Sequence, residues 1–328
     1  TDAYDFHHTK IDLYYVQVKK QKKIHKETTE MKKIVSMMLV LVLALGVLSA
    51  CNGNEAGDKD TSTNDSAVTT ENKGEALSGT VKTGGSTSVE KVMNALIYQF
   101  QDENRDVTIN YEMNGSGDGI KNTLSGMYEI GHSSRELKKD GSEDGLVATP
   151  YAIDGIAVVI HKDNGVKSLN ADQLRDIYTG EITNWKEVGG KDAPITVVTR
   201  EASSGTRSAF AEIIGLEKDD DDSTALVASA TTCDSTGAVQ TTVSQNDNAI
   251  GYMSFSDVDT AKVKTVQFDG VDITTDTLKD GSYKLKREFY LITKEGATLS
   301  PAAQAFIDFV VGEDGQKLVS DNKLLPVK

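Results

Sequence analysis

Two cysteines in 328 residues cannot make a disulfide-rich scaffold, and they are too few for a cysteine-based zinc site. Histidine is also scarce. Beyond residue 50 only His132 and His161 occur, which argues against a histidine-based metal site. Positive charge is in deficit, with 35 Lys+Arg against 50 Asp+Glu and a formal charge of −15. A chain this acidic has no electrostatic reason to coat polyanionic nucleic acid. Hydrophobic residues make up 38%, enough for a core and low for a multi-span membrane protein. There is no Gly-x-Ser-x-Gly elbow and no phosphate-loop Gly-Lys-Ser/Thr, and Gly115-x-Gly117-x-Gly119 does not fit the dinucleotide fingerprint. No cofactor is expected.

One apolar run stands out, Met37 to Leu48. It follows Met31-Lys32-Lys33 and leads into Leu48-Ser49-Ala50-Cys51. A basic start, an apolar centre and small residues before a cleavage point describe a secretory signal peptide over residues 31–50. The run is shorter than the ~20 residues of a bilayer-spanning helix. Its Leu-Ser-Ala-Cys ending resembles the bacterial lipoprotein signal, in which Cys51 carries lipid and becomes the N-terminus. An uncleaved anchor is the other reading, and both place the remainder outside the cytoplasm. Residues 1–30 read as an upstream extension outside the native protein. Without residues 1–50 the chain carries 27 Lys+Arg against 45 Asp+Glu, a charge of −18, and Cys233 has no disulfide partner if Cys51 is lipidated. Residues 51–76 are polar, lack aromatics and read as a flexible, lipid-anchored tether.

From Leu77 the pattern becomes that of a folded body, and the length is that of two domains at roughly 150 residues each. Val89, Val92, Met93, Leu96, Ile97 and Phe100 share one helical face behind the capping residues Ser86, Thr87 and Ser88. Val107 to Met113 alternates as a strand does, and Gly155 to Ile160 is apolar throughout, as in a strand buried on both faces. Helices are predicted after Asn170, after Ser204 and after Ser300-Pro301, with strands at Ile195–Thr199, Ile250–Met253 and Phe289–Ile292. Strands alternating with helices predict an α/β architecture with largely parallel sheets.

The chemistry lies in the turns. Gly84-Gly85-Ser86-Thr87-Ser88, Gly115-Ser116-Gly117, Ser133-Ser134-Arg135 and Arg200 with Ser203-Ser204-Gly205-Thr206 place small hydroxyl and glycine residues between strand and helix. A helix start offers unpaired N–H groups and partial positive charge, glycine admits a ligand to the backbone, and Ser or Thr adds a donor. Each turn alone is an ordinary cap. Four on successive α/β units, with Arg200 and Arg135 as planar forks, point to an oxyanion site.

These residues resemble the phosphate-binding receptors of bacterial high-affinity phosphate ABC transporters. The resemblance runs over nearly all of Gly79 to Lys328. Beyond the turns it rests on Ile130–Leu137, Asp154-Gly155-Ile156-Ala157-Val158, Ile177–Trp185, Arg200–Arg207 and Asn248–Tyr252. It implies a two-lobed type II periplasmic-binding-protein fold, with two α/β domains joined by a two-strand hinge and the ligand in the cleft. Residues 77–155 plus 287–328 would form one lobe and 156–286 the other. The implied function is non-enzymatic capture of inorganic phosphate and delivery to a membrane ABC permease, by an extracytoplasmic, lipid-anchored monomer. The phosphate ligands implied are Thr87, Ser88, Ser116, Ser134, Arg200, Ser204, Gly205 and Thr206, with Ser86 and Arg135 as further candidates. Some relatives have Asp where this chain has Ser134, and that carboxylate accepts the ligand's proton and repels sulfate. The Ser-Ser-Arg version also occurs in the family. Asp154, near the expected crossover, is the candidate replacement acceptor; its other reading is a structural partner for Arg135.

A different tetrahedral oxyanion is the nearest alternative, and a scaffold that keeps the fold without transport is another. Ser88-Val89-Glu90-Lys91, Ser320-Asp321-Asn322 and Lys82-Thr83-Gly84 match the three motifs of penicillin-recognising serine acylases, but in the wrong chain order. The run Glu217 to Asp222 lacks the glycine and terminal Glu of a calcium loop and reads as solvated. His132 could line the cleft or be a satisfied polar residue, and Trp185 reads as packing.

Overall fold

Strands are followed by helices at Ser86, Asn114, Leu169, Arg200 and Cys233. The structure is a computed structural model that describes residues 77–216 and 225–327. The expected signal, Cys51, the tether and the acidic run after Glu217 lie outside the described residues. The strands are β1 (Ser78–Ser86), β2 (Asp106–Asn114), β3 (Ile130–Ser133), β4 (Leu146–His161), β5 (Ser168–Leu169), β6 (Thr196–Arg200), β7 (Thr231–Cys233), β8 (Ala249–Ser254), β9 (Val263–Thr265), β10 (Gln267–Phe268), β11 (Lys286–Lys294) and β12 (Leu325–Pro326). The helices are α1 (Glu90–Glu103), α2 (Ser116–Leu124), α3 (Ala171–Thr179), α4 (Gly205–Ile214), α5 (Thr236–Ser244), α6 (Thr275–Lys279), α7 (Pro301–Val311) and α8 (Glu313–Asp321).

The fold is mixed α/β and two-lobed. One sheet runs β2-β1-β3-β11-β4-β8-β6-β7, with β12 and β9 also pairing β4. Parallel pairing holds at its flanks, β1 with β2 and β3, and β6 with β7 and β8. The expectation of largely parallel sheets fails in the middle. There β4 and β11 run antiparallel to each other, and β4 is antiparallel to β8 as well. The reason is connectivity: β4 leaves the first half of the fold and β11 returns to it, so the two must run in opposite senses.

Two hydrophobic cores sit on either side of this crossing. One gathers Val81, the buried face of α1, Tyr151, Ala152, Phe289 and α7. The other gathers Ile156 to Ile160, Trp185, Phe210, Tyr252 and Leu285. In α1 the residues Val92, Met93, Leu96, Ile97 and Phe100 are buried, as their spacing predicts. Each such side chain contributes roughly 1.5–3 kcal/mol on burial. Asn170 caps α3 through Gln173 N–H, and Ser300 with Pro301 starts α7, as the sequence indicates. Trp185 is fully buried, and its indole N–H donates to the Asn248 carbonyl at 3.0 Å. No helix among the described residues is long and apolar enough to cross a membrane.

Candidate functional site

Parallel strands deliver their C-terminal ends, and the helices that follow them, to one place. That is where ligands of α/β proteins collect. At the end of β1, Ser86 Oγ accepts the Ser88 N–H and donates to Ser134 Oγ at 2.8 Å, joining the first turn to the residue that follows β3. Gly85 has φ of +143°, and a methyl there would collide with the His132 carbonyl, so only glycine fits. Ser116, the first residue of α2, lies 3.2 Å from Ser134 Oγ and accepts the Ser134 N–H at 3.1 Å.

The second core supplies β6. Tyr252 stacks on Phe210 with ring centroids 4.1 Å apart. Its hydroxyl contacts Thr199 Oγ1 at 2.8 Å and accepts the Arg200 N–H at 3.3 Å, which fixes the strand end that carries Arg200. The Arg200 guanidinium is 1% exposed at the residue level and donates to Thr87 Oγ1 at 3.0 Å, across the cleft. Glu201 takes its other edge in a bidentate pair at 2.8 and 2.7 Å. Ser204 caps α4, accepting from the Arg207 N–H. Thr206 Oγ1 is 2.7 Å from Ser88 Oγ, and the Gly117 N–H donates to the Ser203 carbonyl at 2.9 Å. A methyl on Gly205 would overlap both Ser116 Oγ and Ser134 Oγ.

Thus Ser86, Thr87, Ser88, Ser116, Ser134, Arg200, Ser204, Gly205 and Thr206 come together, buried, at facing helix starts of both halves. Only one of them is charged, and Glu201 pairs with it. Such a site can hold an anion with hydroxyls, N–H groups and helix ends, without a concentration of positive charge. Its mouth, a cavity of about 460 Å³, is lined in part by the carboxylates Glu90, Asp118, Glu201 and Asp234.

Two expected residues stand elsewhere. Arg135 is engaged by Glu143 through both terminal nitrogens, so its fork is not directed at the cluster. Asp154 pairs with Arg287 at 3.1 Å rather than with Arg135, and its other oxygen accepts from Ser254 Oγ at 3.0 Å. Arg287 Nη1 in turn approaches the Ser134 carbonyl at 3.5 Å, so this pair braces the Ser134 turn from behind. Sequence reading missed Arg287, Glu201 and Thr236. The signal for Thr236 was present, since Ser235-Thr236-Gly237 after Cys233 repeats the strand-end device.

His132 is fully buried, packed edge-on against Tyr111 and bonded through Nε2 to Thr83 Oγ1. Thr83 gives its own proton to the Ile130 carbonyl, so the imidazole donates from Nε2. Burial pushes His132 down to about 3, and it stays neutral at physiological pH. The acylase arrangement is not formed: Lys91 Nζ donates to the Ser256 carbonyl at 3.0 Å, and the Ser88 hydroxyl meets only Thr206 and Thr236 hydroxyls. Among the described residues no group of three or more His, Cys, Asp or Glu could hold a metal ion.

Beside the Asp154–Arg287 pair lies a second carboxylate, Asp257, half-buried with its Oδ2 out of solvent. Burial, then the Asp154 charge, raise it to about 7, with Lys91 opposing. Burial likewise lifts Asp154 to about 6 against the pull of Arg287. A carboxyl raised on folding stabilises the native state below its unfolded value of about 4, and that contribution is lost as pH climbs through about 7. Asp257→Asn, which mimics the protonated form, should therefore match the parent near pH 4 and exceed it by on the order of 1–2 kcal/mol at pH 8. Urea midpoints across this range check it. A variant equally less stable at every pH would show that Asp257 is not protonated in the native state.

The architecture and cluster together define a two-lobed binding protein with an oxyanion cleft. The chain belongs to the PBP superfamily, whose domain matches residues 70–314, and within it to the PstS phosphate-binding proteins. It is 35% identical over 303 residues to the phosphate-binding protein PstS of Bacillus subtilis (strain 168), covering 90% of this chain and 95% of that one. A phosphate ABC transporter substrate-binding protein of Clostridium perfringens, solved with bound phosphate, shares 44% identity at a TM-score of 0.71. That match covers 76% of this chain and all of the other. An ABC-type phosphate transport receptor of Vibrio cholerae gives 34% identity and a TM-score of 0.64, again over 76% of this chain and all of the other.

Proposed function

We propose that this protein captures inorganic phosphate outside the cytoplasm and delivers it to the permease of a phosphate ABC transporter. One observation carries the reading: a buried Arg200 and the hydroxyl-bearing helix starts at Ser86–Ser88, Ser116 and Ser204–Thr206, drawn from both halves, converge on one cleft. The lobes are residues 77–155 with 287–328, and 156–286; the division of the two cores near Ile156 and Leu285 supports this. The protein acts as a monomer held to the membrane through lipid on Cys51, with residues 51–76 as its tether.

Thr87, Ser88, Ser116, Ser134, Arg200, Ser204, Gly205 and Thr206 hold the phosphate, with Ser86 orienting Ser134. Hydroxyls that now bond one another turn onto the ligand's oxygens. Hydroxyls accept as well as donate, so they also take the proton of hydrogen phosphate, which sulfate lacks. Asp154 acts by holding Arg287 behind the Ser134 turn. Asp154→Asn should then weaken phosphate and sulfate binding in parallel and keep their ratio, measured by competition with labelled phosphate. Collapse of that ratio would make Asp154 the proton acceptor.

A further inference from the structure

Thr236 opens α5 on the far side of the cleft, buried at 3% exposure. Its hydroxyl is not used by its own helix. Ser235 caps α5 by accepting the Ala238 N–H at 3.2 Å. Thr236 Oγ1 instead lies 3.1 Å from Ser88 Oγ and 3.5 Å from Thr87 Oγ1, both on the first half, and accepts from Arg200 Nη1 at 3.3 Å, on the second. Its backbone N–H also points at Thr87 Oγ1, at 3.4 Å. A guanidinium only donates, so Thr236 Oγ1 accepts from Arg200 and its single proton is left for Ser88 or Thr87. One hydroxyl thus ties the anion-binding arginine to the helix start that faces it. A buried hydroxyl leaving its helix cap to another residue, and bonded to two site residues across the cleft and to Arg200 on its own side, has its use in the relation of the two halves.

We propose that Thr236 is a closure residue, which joins the two lobes over the ligand and sets how long it is held; this rests on the phosphate reading above. Its cross-cleft bonds exist only when the lobes meet. They therefore favour the closed form and slow release, and they do not act on encounter with the open form. Valine keeps the shape of threonine and removes the hydroxyl; serine keeps the hydroxyl. In the full chain stripped of ligand, Thr236→Val should release radiolabelled phosphate about tenfold faster, at an unchanged association rate. Thr236→Ser should restore slow release, and the ligand-free unfolding midpoint should be the same in all three proteins. Parental release by Thr236→Val overturns the closure role, as does a loss confined to association. So does a lowered ligand-free midpoint with equal release rates, which would assign the hydroxyl to folding. A parent chain that binds no phosphate overturns the phosphate reading itself.

Discussion

Arg200→Met should weaken phosphate binding by on the order of 100- to 1000-fold. Arg200 is the only charged donor in the cluster, and its stem is buried, so methionine preserves the packing while removing the fork. Two effects add. The charge-assisted bonds to the ligand are lost, and Glu201, now paired at 2.7 and 2.8 Å, is left as an unneutralised carboxylate beside an anion. The second effect is separable. In Arg200→Met/Glu201→Gln part of the affinity should return, because the repulsion is gone while the missing donors are not. Calorimetric titration of parent, single and double variants checks this. Equal affinity in the single variant and the parent would place the ligand somewhere other than this cleft.

Gly205→Ala should cost about as much, ~100-fold, through sterics alone. The added methyl overlaps Ser116 Oγ and Ser134 Oγ, wedging the start of α4 against the opposite half and displacing two hydroxyls of the cluster. Alanine suits the first turn of a helix, so the unfolding midpoint without ligand should hold or rise slightly. Lost affinity at undiminished stability is the expected signature. A variant that binds as the parent does would mean the halves do not close to the separation seen here.

The cluster that forms the candidate site was largely legible in the sequence because its elements are local. Ser86, Ser116, Ser204 and Thr206 reveal themselves as hydroxyls at helix starts after apolar strands, and a cap needs only its own turn to be read. The α1 face and the Ser300-Pro301 start were legible for the same reason. What the sequence hid depends on distant pairing. Asp154 and Arg287 are 133 residues apart and meet because β4 and β11 lie in antiparallel register, Arg287 opposite Asp154. Nothing in the neighbourhood of Asp154 distinguishes that partner from Arg135, which Glu143 in fact holds. The same crossing strands made the sheet mixed where strand–helix alternation alone indicated a parallel one. Glu201 was passed over as the neighbour of a more conspicuous arginine, and Thr236 because the strand before it, Thr231–Cys233, is short and mostly exposed and gives no apolar run to mark it.

The measurement that tests the central claim most directly is calorimetric titration of the ligand-stripped chain at neutral pH, first with phosphate and then with sulfate. The account predicts tight binding of one phosphate per chain and negligible heat from sulfate. No phosphate binding, or sulfate bound as tightly as phosphate, would contradict it.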